Sequence, residues 1–113
     1  MLGKRDLATL LDIAGAARAA LEFRAGMDLD AFVADRKTAS SVQHQLMIIG
    51  EAVKRLSPEC REGLPGIAWA PFARMRDRLI HGYDTVDMDI VWRTVEYDVP
   101  ELLKRIEPLL PSQ

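Results

Sequence analysis

The sequence predicts an all-α fold, a bundle of four to five helices in one domain over residues 1–113. Three observations carry that expectation. Apolar residues recur at steps of three and four in every long segment, the spacing that gathers side chains on one face of a helix. Ser-Pro, Pro-Gly and aspartate-led breaks separate these segments by short connections. No segment alternates apolar and polar residues as a half-buried strand does.

The elements follow in order. Leu7, Leu10, Leu11, Ala14, Ala17 and Leu21 mark one stripe on a helix of residues 4–24, with Gly26 as its stop. Asp28 caps a short turn that carries Leu29, Phe32 and Val33, and Asp35 offers a second cap. Val42, Leu46, Ile49, Val53 and Leu56 then step 4, 3, 4, 3, a heptad-like seam on a helix of residues 36–56. Its other face holds Met47 and Ile48 beside His44, Glu51 and Arg55. A helix apolar on two sides is central, or is covered on the second side by another subunit.

Ser57-Pro58 ends that helix, and "SPECREGLPGIAW" is expected as a loop turning at Pro65-Gly66. Trp69 is expected at the edge of the core. Pro71 suits the first turn of a helix running to Ile80 or His81. A polar connection, residues 84–89, supplies Asp87 or Asp89 as the next cap. The last stripe is Val91, Val95, Val99, Leu102, Ile106 and Leu109. Pro100 falls inside it and predicts a kink, and Pro108 and Pro111 end it.

Composition narrows the class. A chain of 113 residues suits one domain and buries roughly two thirds of its unfolded surface without a disulfide or metal staple. Cys60 is the only cysteine, which excludes an intrachain disulfide and fits a reducing, cytoplasmic setting. One cysteine and two histidines also argue against a structural zinc site, so no metal or cofactor is expected. No window reaches the ~18 apolar residues of a membrane span, and Asp6 and Asp12 break the N-terminal run that a signal peptide would need. The net charge of −2 means that nucleic-acid contact must come from a local patch.

Such a patch lies in "RMRDRLIHGYD", residues 74–84. On a helical wheel Phe72, Met75, Leu79 and Ile80 form the apolar side. Arg74, Asp77, Arg78 and His81 form the polar side. Arg76 lands between Leu79 and Ile80, inside the apolar arc. An arginine keeps its charge, so three arrangements reconcile it: snorkelling along its stem, pairing with a carboxylate in the bundle, or facing a cleft for an anionic ligand.

Gly82 reads as a left-handed C-cap, which puts His81 in the last turn. There the carbonyl end of the helix favours the imidazolium, a state suited to proton transfer. An ordinary terminal histidine reads the same way. Tyr83 leaves the helix as a hydrogen-bond donor, a stacking platform, a modification site or a half-buried aromatic. Arg74 and Arg78 contact RNA phosphates, or form a solvated stripe paired to Asp77 or Asp84. His44 has no companion and reads as structural or interfacial.

Arg76, His81 and Tyr83 together spell R-x4-H-x-Y. In this setting the motif resembles the signature of the HEPN superfamily, and within it the HepT-like toxins. "ADRKTASSVQHQLMIIGEAVKRLS" resembles the family's long central helix with its Ile-Gly-Glu-Ala core, and "GIAWAPFARMRDRLIHGYDTVDMDIVWRTVEYDVPELL" its last two helices. The resemblance implies a homodimeric helical bundle in which the motifs of two subunits face one cleft. It implies the toxin of a type VII-like pair, a metal-independent endoribonuclease. Its partner would be a MntA-type nucleotidyltransferase antitoxin that silences it by transferring AMP to Tyr83. Arg76 and His81 would then be catalytic, one His81 from each subunit serving as base and acid, and Arg74, Asp77, Arg78 and Tyr83 supporting. Asp77 would orient Arg76 or His81 across the dimer. The alternative is a non-catalytic partner or AMP acceptor of such a transferase.

Overall fold

The structure, a computed structural model, describes residues 2–82 and 84–111, and these form a helical bundle without strands. Helix α1 spans Lys4–Phe23, α2 Leu29–Ala34, α3 Arg36–Arg55, α4 Pro58–Glu62, α5 Ala70–Gly82, α6 Met88–Arg93 and α7 Val99–Ile106. Helix α3 packs between α1 and α5, and α1 also packs on α7. The central position expected for α3 therefore holds within one chain.

Local chemistry places the boundaries. Gly26 carries a φ of 79°, which releases the chain after α1. Asp28 and Asp35 each accept a backbone N–H three residues on, from Ala31 and Thr38, satisfying donors that the first helical turn leaves open. Asp87 caps the α6 terminus through the N–H two residues on, that of Asp89.

The heptad seam of α3 is core throughout: Val42, Leu46 and Ile49 are inaccessible, and Val53 and Leu56 nearly so. On α1 the buried stripe lies one position round from expectation. Leu10, Ile13, Ala14, Ala17 and Ala20 are sealed, while Leu7, Leu11 and Leu21 flank them. The small alanines there allow close approach to α3.

Three expectations are corrected. The loop after Ser57 contains α4, because the Ser57 hydroxyl caps Cys60 N–H at 3.0 Å and Pro58 pre-sets the first helical φ. Both carboxylate oxygens of Asp6 clamp this corner onto α1, one on the Ser57 N–H at 3.0 Å and one on its hydroxyl at 2.6 Å. Leu109 leaves the last stripe and is exposed, since Pro108 turns the chain into a short 3₁₀ turn, Glu107–Leu109. Gly82 is helical rather than left-handed. Thr85 donates from N–H and hydroxyl to the Gly82 carbonyl, and its exposed Oγ1 would lie 2.7 Å from an added Cβ.

The Pro100 kink takes a definite form. Pro100 has no N–H for the Glu96 carbonyl, and the helix widens into a π turn, Thr94–Asp98, between α6 and α7. Val91, Val95, Val99, Leu102 and Ile106 nevertheless stay on one buried face.

Candidate active site on helix α5

Helix α5 is held by Phe72, Met75 and Leu79, which are buried against the core. It comes unusually near α3 at Gly50. A Cβ there would sit 2.4 Å from Arg76 Cβ and 2.5 Å from the Phe72 carbonyl oxygen. The bare glycine therefore lets Arg76 pass close to α3 and reach its neighbour Glu51.

Arg76 donates from Nε to Glu51 Oε2 at 2.7 Å and from Nη1 to Asp77 Oδ1 at 3.3 Å. The same Asp77 oxygen accepts from Lys54 Nζ at 2.6 Å. Of the three arrangements open to an arginine in the apolar arc, the pairing with a bundle carboxylate is the one adopted. Its side chain is 24% exposed, and two of its five N–H donors are engaged, which leaves three for another acceptor. The Glu51 hydrogen bond holds the guanidinium proton more firmly still. Lys54, and secondarily Arg76, keep the Asp77 carboxyl below the usual carboxylate range. Asp77 thus touches Arg76 within its own chain. It does not pair with Arg74 or Arg78.

His81 stands apart from this network. It is exposed in the last turn of α5, in a recess of about 390 Å³ with Arg78, Thr85 and Asp87 among its lining. It lies five positions after Arg76, so the two leave the helix about 140° apart. One chain does not bring them together among the described residues. Arg74 and Arg78 are exposed on the α6 side of α5. Tyr83 lies outside the described residues. His44 is exposed on α3. Glu51 is the site residue that the sequence pattern placed only on the second face of α3, beside His44 and Arg55. Its signal was adjacency to a glycine in a tightly packed helix.

Among the described residues no group of three or more His, Cys, Asp or Glu side chains is placed to hold a metal ion. No helix is long and apolar enough to cross a membrane.

The family model for ribonuclease HepT-like proteins matches residues 13–109. The chain belongs to the HepT-like family. It is 41% identical over 100 residues to the "Probable ribonuclease HepT" of Thermococcus cleftensis, covering 88% of this chain and 91% of the relative. It is 38% identical over 108 residues to the "Putative RNase MJ0125" of Methanocaldococcus jannaschii, covering 95% and 93%. It is 39% identical over 88 residues to the "Putative RNase TTE0752" of Caldanaerobacter subterraneus, covering 78% and 79%. No solved structure matches the chain significantly. The HepT-like match takes in all of α3 and α5, and with them Gly50, Glu51, Arg76 and His81.

The electrostatics carry a pH consequence. The carboxyls of Asp6, Asp35 and Asp77 are held low, by the Ser57 hydroxyl, the Thr38 N–H and the Lys54 ammonium respectively. A depressed folded-state carboxyl adds stability above its unfolded value of about 4, and that stability is lost as pH falls through the folded value. The urea midpoint is therefore expected to hold from pH 6 to about 4.5 and to drop below pH 4. Asp98 works in the opposite sense, because burial pushes its carboxyl up. Asp98→Asn should raise the midpoint at pH 7 and leave it unchanged near pH 3.

Proposed function

We propose that the protein is the toxin of a toxin–antitoxin pair, a metal-independent endoribonuclease acting in the cytoplasm through Arg76 and His81 of two facing subunits. The observation that carries this reading is His81, exposed at the end of α5 in a chain of the HepT-like family. Relatives named as ribonucleases support it.

The chemistry needs a base to take the proton of a ribose 2′-hydroxyl. The 2′-oxygen attacks the adjacent phosphorus, the P–O5′ bond breaks, and an acid protonates the departing 5′-oxygen. The products are a 2′,3′-cyclic phosphate and a 5′-hydroxyl. Each chain places one histidine at this end of α5, so a two-fold pair supplies both proton carriers. The free N–H groups of Arg76 suit the extra negative charge on the phosphorane, with Glu51 and Asp77 fixing the guanidinium. The divergence of Arg76 and His81 on one helix favours a site shared between copies.

Silencing would follow from transfer of AMP to Tyr83 by a MntA-type nucleotidyltransferase. The phenolic oxygen would bond to the α-phosphorus of ATP, pyrophosphate would leave, and the phenolic proton would pass to solvent. A second reading, a non-catalytic partner or AMP acceptor, is favoured by one feature. The two cations Arg76 and Lys54 are balanced by the two carboxylates Glu51 and Asp77, as in a purely structural network.

Purified protein is expected to cleave labelled RNA in excess EDTA and to leave 2′,3′-cyclic phosphate ends. Activity lost to EDTA, or 3′-hydroxyl ends, would overturn the mechanism. After incubation with the cognate transferase and ATP, peptide mass spectrometry should find AMP on Tyr83. An unmodified Tyr83 removes the silencing step alone.

A further inference from the structure

The geometry points to a phosphodiester-binding track for single-stranded RNA in the groove between α5 and α6, formed by Arg74, Arg78 and Arg93 and running to His81. It rests on the ribonuclease reading and names where the strand would lie.

The groove is built by two elements that face each other without close packing. Arg74 and Arg78 are one helical turn apart on α5, and Arg93 ends α6 opposite them. All three line one cleft of about 160 Å³. That cleft shares Arg78 and Ile90 with the recess of about 390 Å³ that holds His81. From Arg74 to His81 the helix rises about 10 Å, enough for cations to meet successive phosphates leading to the histidine.

The charge state of these arginines is the second observation. Arg18, Arg24, Lys54, Arg55, Arg76 and Arg105 each form an ion pair. Among the described residues Arg74, Arg78 and Arg93 form none; neither do Lys4, Arg5, Arg36, Lys37, Arg61 and Lys104, and what sets the three apart is that they line one cleft. Three like charges lining one cleft repel one another, and a polyanion relieves that cost. The π turn forced by Pro100 brings Thr94 and Asp98 into the same lining.

Asp98 is the carboxylate that opposes an anion beside Arg74, and burial disfavours its charged form. Asp87 lies further along, in the recess of His81, where its Oδ1 accepts the Asp89 N–H. The arginines still outnumber these two carboxylates. A track that ends at an exposed histidine suits RNA better than an acidic protein surface, which has no use for that endpoint.

The test is fluorescence anisotropy with a labelled single-stranded RNA dodecamer, in a His81→Ala background that prevents cleavage, across a series of salt concentrations. Arg93→Gln is expected to weaken binding about fivefold and to lower the salt slope by about 0.7, the share of one phosphate contact on a single strand. The triple variant R74Q/R78Q/R93Q should lower the slope by about 2. Asp98→Asn should tighten binding about two- to threefold by removing the opposing charge. Arg55→Gln, in an ion pair with Asp12 of α1 and lining neither cleft, serves as the control for non-specific charge loss.

An unchanged slope in the triple variant, with a native melting profile, overturns the track. So does an equal loss in Arg55→Gln. If the arginines instead govern binding of a polyglutamate peptide and not RNA, the groove is a protein-docking surface and the proposal fails. Wild-type cleavage is measured in parallel. Cleavage with an unchanged slope leaves the ribonuclease reading standing, whereas absence of cleavage removes that reading directly.

Discussion

His81→Ala is expected to lower RNA cleavage by about 10²–10⁴-fold, the usual contribution of a positioned general acid or base. The fold should be untouched. His81 is exposed in the last turn of α5, and the buried residues that hold this helix, Phe72, Met75 and Leu79, lie elsewhere on it. In the proposed homodimer the expectation is sharper, because one substitution would remove base and acid together. Cleavage rates on a quenched fluorescent RNA, set beside a circular-dichroism melt, check it. Equal cleavage by the variant would refute the catalytic assignment and leave the acceptor reading as the better account. Loss of cleavage with an unchanged melt would exclude a merely structural histidine.

Gly50→Ala is expected to destabilise the protein by about 3 kcal/mol, or roughly 10 °C in melting temperature, at the upper end of what an overpacked core costs. The reason is the partner atoms. The new methyl would meet the Arg76 Cβ at 2.4 Å and the Phe72 carbonyl oxygen at 2.5 Å. Neither is the free end of a flexible side chain, so α5 must move off α3. That displacement would also lengthen the 2.7 Å contact between Arg76 and Glu51. Cleavage should fall more than stability alone explains, when measured well below the melting transition. Alanine is the better helix former, so propensity alone predicts the opposite sign. A Gly50→Ala protein that melts at or above the wild-type temperature would show that α3 and α5 are not so closely apposed.

How much of this was legible follows from the range of each interaction. The caps at Asp28 and Asp35 and the seam of α3 depend on contacts within one or two turns. Spacing alone could place them, and the structure agrees. The short helix at Pro58 was missed because its serine cap and proline look like a loop of breakers. Its anchoring carboxylate, Asp6, lies 51 residues earlier. At Gly82 the usual role of a C-terminal glycine misled, since the helix includes it and Thr85 closes the turn onto its carbonyl. Pro100 announced a disturbance, but whether it became a bend or a π turn depended on keeping Val95 and Val99 buried on both sides of it.

The sequence alone specified an all-helical bundle, its capped boundaries and an arginine out of place on α5, because periodicity and capping are local properties of the chain. It left open what that arginine meets. Glu51 lies 25 residues from Arg76, and their contact exists only because Gly50 lets two helices touch backbone to side chain. The groove of Arg74, Arg78 and Arg93 was hidden for the same reason. Two of its cations belong to α5 and the third to α6, and no spacing rule along one helix can place a side chain of another opposite them.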